Sequence, residues 1–194
     1  MIGAALEAAR AHPAALAVLF QDEASFYRQP TQAALWAGTG RRQPHLPWSH
    51  RKNILVRVAG TLDAVSGQTC FREAPRFTVD ELLRFYRQVL AQYANRTMIY
   101  LVQDNWPVHF HGRVQAFLLQ HPQLQVLRLP TYAPRLNPVE KTWKWVRQQF
   151  SHAHPYSDDF GEFRGHLSTC LTEMRAQPEV LRHYCGCDNL KIYA

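Results

Sequence analysis

Three apolar runs, Ala14 to Phe20, Thr97 to Val102 and Leu124 to Leu129, constrain the fold of this chain more than any other feature. They are far short of the roughly 20 residues needed to cross a bilayer, and they lack the alternation of a sheet with one wet face. Strands of this kind are covered on both sides, so they imply a sheet held between layers of helix. Polar residues close the first two runs, Gln21-Asp22-Glu23 after the first and Gln103-Asp104-Asn105 after the second, and the third runs into Pro130-Thr131-Tyr132-Ala133-Pro134.

The segments between the runs supply the remaining elements. Residues 1 to 12 are Ala-rich, with Ile2 and Leu6 at helical spacing, and read as a short helix or linker that ends before Pro13. Strands are expected at Gln32 to Ala37, Asn53 to Leu62 and Gln68 to Glu73, the last two joined by a hairpin turn at Asp63-Ala64-Val65-Ser66-Gly67. Thr78 and Glu81 form a capping box that opens a helix reaching about Asn95, with Leu82, Leu83, Phe85, Val89, Leu90 and Tyr93 on its apolar face. A further helix is expected from His111 to Gln120. Asn137-Pro138-Val139-Glu140 should start the next, with Asn137 as cap, Pro138 at the first helical position and Glu140 in the first turn. Ser157 to Met174 and Pro178 to Tyr184 read as outer helices.

This order, three antiparallel strands followed by alternating helices and strands, predicts an α/β fold with a ribonuclease H-like mixed sheet flanked by helices. The expected organisation is a linker or helix over residues 1–12, a catalytic domain over 13–150 and a helical extension of it over 151–194.

Composition narrows the function classes. With 46% hydrophobic and 19% charged residues the chain is globular and not disordered. A formal charge of +7 is compatible with a polyanionic partner. The sequence shows neither a signal peptide nor an apolar span, so a soluble cytoplasmic protein is expected. Cys70, Cys170, Cys185 and Cys187 have no zinc-finger spacing and should be free thiols; Cys185-Gly186-Cys187 with His183 lacks the remaining ligands of a metal site.

Among only 15 acidic residues, three sit where ligands collect in α/β layers, beyond the carboxyl ends of strands: Asp22, Asp104 and Glu140. Converging carboxylates repel one another without a cation. Hard oxygen donors favour Mg²⁺ or Mn²⁺, and two such ions can run an in-line phosphodiester displacement. Taken singly, Glu140 could complete a helix cap and Asp104-Asn105 a turn. Asp22 and Glu23 point to opposite faces of an extended chain, so only one of them belongs to the cluster.

The whole pattern resembles the catalytic domain of IS630-type transposases, in the Tc1/mariner group of DDE enzymes, over roughly residues 13 to 150. It is carried by Leu19-Phe20-Gln21-Asp22-Glu23-Ala24-Ser25-Phe26, by Tyr100-Leu101-Val102-Gln103-Asp104-Asn105 with His109, and most specifically by Leu129-Pro130-Thr131-Tyr132-Ala133-Pro134-Arg135-Leu136-Asn137-Pro138-Val139-Glu140. The family pattern has Ser where Ala133 stands and Ile where Val139 stands. The resemblance implies a catalytic and metal-binding triad of Asp22, Asp104 and Glu140, with 35 residues between the last two. It selects Asp22 over Glu23, and it puts Glu23, Asn105, His109 and Asn137 in supporting positions.

The implied activity is DNA strand cleavage and transfer of 3′-hydroxyl ends to target DNA. The implied cofactor is two Mg²⁺, for which Mn²⁺ can substitute, in a bacterial, nucleoid-associated setting. A homodimer on DNA is expected. The first strand starts within about 15 residues of Met1, where the family has a helix-turn-helix domain, so three readings stand side by side: the second product of a split pair with a separate helix-turn-helix protein, a truncated remnant, and a cloned fragment. A plain metal-dependent nuclease and a non-catalytic DNA-binding module are the alternatives. Candidate phosphate contacts are Arg41, Arg42, Arg51 and Lys52 in a basic loop around Trp48, Arg135 before the third acid, and Lys141, Lys144 and Arg147 as a stripe on the last catalytic helix.

Overall fold

The computed structural model describes residues 1–31, 48–130, 137–152 and 154–190. The strand expected at Gln32 to Ala37, together with Arg41, Arg42 and Arg135, lies outside the described residues. Five strands, β1 (Leu16–Tyr27), β2 (Leu55–Asp63), β3 (Thr69–Ala74), β4 (Met98–Gln103) and β5 (Leu124–Arg128), form one sheet in the order β3-β2-β1-β4-β5. β1, β2 and β3 are antiparallel, and β1, β4 and β5 are parallel. This is the mixed sheet that the order of elements predicts.

Helices cover both faces, as continuous apolar strands require. On one face α1 (Ile2–Ala11), α4 (Val139–Val146), α5 (Phe160–Arg175) and α6 (Pro178–Cys185) pack against Val18, Phe20, Ala24, Phe26, Val56, Val58 and Leu62. On the other, α2 (Val79–Gln92) and α3 (Gly112–Gln120) bury Leu82, Phe85, Tyr86, Val89, Val114 and Phe117 against Ala17, Leu19, Ala59, Ile99 and Leu101. Thr78 caps α2, its hydroxyl accepting from the Glu81 backbone N–H at 3.4 Å. Gly67 takes φ 75° in the β2–β3 turn, where the Asp63 side chain accepts from the backbone N–H groups of Val65 and Ser66.

Two departures from the sequence reading matter for the site. β1 does not stop at Phe20: it continues to Tyr27, because antiparallel pairing with β2 carries it on and Ala24 and Phe26 still point into the core. Asp22 and Glu23 are therefore inside a strand and not after one. The helix after Asn137 begins at Val139, one residue later than expected, and its last turn widens into a π-helical turn over Arg147–Ser151. All four cysteines are free thiols. No helix among the described residues is long and apolar enough to cross a membrane.

Candidate active site

β1 and β4 pair in parallel from Leu16–Met98 to Phe20–Val102, and β4 then ends at Gln103. Asp22 and Asp104 each stand two positions beyond that last pair, so the two strands deliver both acids to the same height of the sheet. Asp22 shares its face with Phe20 and Ala24, toward α4. Its Oδ2 accepts a hydrogen bond from the Trp143 indole N–H at 3.0 Å. The cross-strand partner of Asp22 is Gly60, and a methyl group there would collide with Cη2 of Trp143. The missing side chain of Gly60 thus makes the room in which Trp143 lies against the strand and reaches Asp22.

Glu140 is exposed in the first turn of α4. Asn137 fixes the start of this helix. Its buried side-chain amide donates to the Gln21 carbonyl on β1 at 3.2 Å, and its Oδ1 accepts from the Val139 backbone N–H at 3.3 Å. The helix bearing the third acid is therefore moored to the strand bearing the first.

The acids feel one another. Burial raises the Asp22 carboxyl to about 6; the Glu23 backbone N–H and the Trp143 indole oppose this, and the charges of Asp104 and Glu140 add to it. Partial burial also raises Glu140, with Arg147 pulling the other way. Among the described residues no trio of His, Cys, Asp or Glu stands close enough to grip an ion as arranged. The donor set is nevertheless of the kind that fits a hard divalent cation: acceptor-only oxygens whose mutual repulsion a positive charge would relieve.

Glu23 points to the other face of the sheet. Gln21 Nε2 donates to its Oε1 at 2.6 Å, and burial, then the charges of Asp22 and Asp104, push it up to about 8. His109 is fully buried on the same side, with Nε2 3.5 Å from Asp104 Oδ1 and Nδ1 3.3 Å from the Tyr86 hydroxyl. The Tyr86 hydroxyl also donates to Gln103 Oε1 at 2.7 Å. Burial, helped by the charge of Arg128 and opposed by Asp104, holds the His109 pKa down at about 4. Asn105 is exposed and donates to the Leu129 carbonyl at 3.4 Å, linking the ends of β4 and β5.

The candidate phosphate contacts divide. Lys144 and Arg147 are exposed, and the Arg147 guanidinium lies 5.8 Å from the Phe26 ring. Lys141 is drawn off the stripe, its ammonium donating to the Cys185 carbonyl at the end of α6 at 3.0 Å. Arg51 donates to the Asp158 carbonyl at 3.0 Å, and Lys52 is exposed. Two cations absent from that set also stand beside the acids. Arg128, at the end of β5, donates to the Asp104 carbonyl at 2.9 Å, and Arg57 lines a cleft with Asp22 and Asp104. Arg128 closes its strand where Asp104 follows β4, so the shared strand-end position was a usable signal.

The sequence profile of the DDE superfamily endonucleases matches residues 17–164, which contain all three acids. The chain belongs to this family. No curated protein is similar enough in sequence to count as a match. Solved structures share the fold of this DDE endonuclease at low identity. The Mos1 mariner paired-end complex with Mn superposes with a TM-score of 0.59 at 14% identity, over 100% of this chain and 62% of that one. The Mos1 transposase paired-end complex with the left transposon end gives 0.58 at 13%, over 95% and 60%. The HTLV-2 integrase catalytic core domain in complex with magnesium gives 0.51 at 12%, over 82% and 83%. This DDE endonuclease thus spans 60% to 62% of the Mos1 chains, and its fold is that of transposase and integrase catalytic cores.

Proposed function

We propose that this DDE endonuclease is the catalytic part of a Tc1/mariner-type transposase, cutting DNA strands at element ends and joining the freed 3′-hydroxyl to target DNA. The observation that carries the reading is the parallel register of β1 and β4, which sets Asp22 and Asp104 at one height of the sheet, with the helix that bears Glu140 tied to β1 through Asn137 and Trp143. Residues 13–150 form the catalytic unit in this reading, and 151–194 extend it.

These carboxylates are proposed to hold two Mg²⁺, with Mn²⁺ as substitute; bound there, the ions would activate a water or 3′-hydroxyl and stabilise the leaving oxygen. The chain's own groups do the positioning. Trp143 fixes one oxygen of Asp22, and the Trp106 backbone N–H fixes Oδ1 of Asp104 at 2.9 Å. Asn137 sets where Glu140 enters. Arg57, Arg128, Lys144 and Arg147 supply positive charge for the phosphates on either side of the scissile bond. Arg41, Arg42, Arg51, Lys52 and Arg135 extend the proposed track, while Lys141 acts as a structural tie. Among the fold relatives are a Mos1 paired-end complex with the left transposon end and a dimeric form of the HTLV-2 integrase catalytic core. By analogy, a homodimer on DNA with a helix-turn-helix partner is proposed here.

The test is metal-dependent cleavage and joining on a labelled duplex carrying candidate element ends, comparing wild type with Asp104→Asn. The variant keeps the shape and removes one charge. Products that need Mg²⁺ or Mn²⁺ and vanish in the variant support the triad, and joined strands separate a transposase from a plain nuclease. Equal inertness of both proteins, with a helix-turn-helix partner present, overturns the proposal.

A further inference from the structure

A second cluster of titratable side chains stands apart from the carboxylates. A pocket of about 430 Å³ opens between the π-helical turn Arg147–Ser151, the segment that follows it and α5. None of Asp22, Asp104 and Glu140 lines it; three of the chain's ten histidines do, His152, His154 and His166, together with Cys170 and Glu173. On α5, His166 and Cys170 are four residues apart and Glu173 follows three later, so all three share one face of the helix. Burial, then the charge of Glu173, push the half-buried Cys170 thiol up, so the carboxylate is felt at the sulfur. His152 joins them from the end of the π turn, where the Thr31 N–H and hydroxyl donate to the Ser151 carbonyl at 3.0 and 3.1 Å.

The donor set selects the class of occupant. Among the described residues the lining has a carboxylate and neither Arg nor Lys, which disfavours an anion. One carboxylate among imidazoles and a thiol is a poor set for Mg²⁺, which takes oxygen ligands, and a good one for a borderline ion such as Zn²⁺. Two ligands one turn apart on a helix are a recurrent chelate for such ions. His154 has a different part. Its Nδ1 accepts from the Tyr156 backbone N–H at 3.2 Å, and burial holds its pKa below the ordinary value, so the neutral ring carries its proton on Nε2. That buried N–H has no partner among the described residues. A nitrogen in this state does not ligate a metal, but it suits the acceptor that a metal-bound thiolate or carboxylate provides.

We infer that this pocket is a second metal site, distinct from the carboxylate centre, for one borderline divalent ion of the Zn²⁺ class held by His152, His166, Cys170 and Glu173, with His154 as hydrogen-bond donor to the bound sulfur or oxygen. As the side chains stand no three of them meet, and the His166 ring lies on Tyr156 with centroids 3.9 Å apart. His166 and Glu173 are exposed, so rotamer changes alone turn them inward. On binding, the Cys170 thiol releases its proton to solvent and its sulfur bonds the ion. The π turn continues α4 directly, so an ion here ties the end of the helix that carries Glu140 to α5.

The test uses the full chain with its thiols reduced, Co²⁺ as the spectroscopic probe for a Zn²⁺-type site, and excess Mg²⁺ throughout. Wild type should take up Co²⁺ with a sulfur-to-cobalt charge-transfer band, and an equivalent of Zn²⁺ should remove that band. Cys170→Ser should abolish it. His166→Ala and His152→Ala should each weaken binding by about ten-fold or more, and His154→Phe, which keeps a flat ring, by about ten-fold, the size usual for groups that support a ligand. Asp104→Asn should bind Co²⁺ as wild type does. Absence of the band in wild type, its survival in Cys170→Ser, or equal affinity of His166→Ala and wild type overturns the site. Should Cys170→Ser fold poorly, the exposed His166→Ala still decides. Failure here leaves the proposed function standing, because none of Asp22, Asp104 and Glu140 takes part.

Discussion

Asp22 and Glu23 are neighbours in sequence with different surroundings, since the alternation of a strand sends one toward α4 and the other toward α2. Glu23 is the costlier of the two to ionise. Its pKa is about 8 in the fold against an ordinary 4.5, so between these values the folded protein holds a proton that the unfolded chain has released. Stability from this group is complete below pH 4.5 and is lost as pH rises through 8. Glu23→Gln cannot titrate, so its gain over wild type should be small at pH 5 and reach on the order of 1–3 kcal/mol at pH 8.5. Denaturant melts at both pH values check this; a gain equal at both would show that Glu23 ionises freely. His109 has the opposite sign, losing stability as pH falls from 6.5 toward 4, and it contributes equally to both proteins. The alternation that separates Asp22 from Glu23 was legible in the sequence. The role of Gly60 was not, because a glycine inside a strand reads only as a weak point until the ring that needs its space is known.

At the scale of elements, the apolar runs were legible because burial on both faces leaves no room for polar residues. The end of β1 was misread for the same reason: Gln21, Asp22 and Glu23 look like a strand terminus, yet pairing with β2 continues through them. The mooring of α4 to β1 needed the tertiary structure, since Asn137 and Gln21 are 116 residues apart. Asn137→Ala removes both the bond to the Gln21 carbonyl and the acceptor for the Val139 N–H. It should cost about 1–3 kcal/mol, leaving a buried carbonyl without its partner. Cleavage should fall further than stability explains, because Glu140 loses its fixed approach. Chemical denaturation beside single-turnover cleavage measures the two effects, and a variant as stable and as fast as wild type would remove Asn137 from the positioning of the helix.

For the whole molecule, repulsion at the site sets protons and the proposed divalent metal in competition for the same oxygens. Mg²⁺ or Mn²⁺ should raise the melting temperature, by about 2.7 kcal/mol of stabilisation at a hundred-fold excess over the dissociation constant. The effect should shrink from pH 8 to pH 5, because Asp22, with a pKa of about 6, must be deprotonated to ligate. A thermal shift that ignores pH, or that persists in Asp104→Asn, would contradict a site built on these acids. The sheet itself is two half-sheets sharing β1, antiparallel on one side and parallel on the other. Asp22 and Glu140 both belong to the antiparallel half, the one by sequence and the other through Asn137 and the Trp143–Gly60 contact, whereas Asp104 belongs to the parallel half. The site is thus a jaw across a seam: flexing the sheet along the β1–β4 join changes the gap to Asp104 and leaves the other two acids riding together.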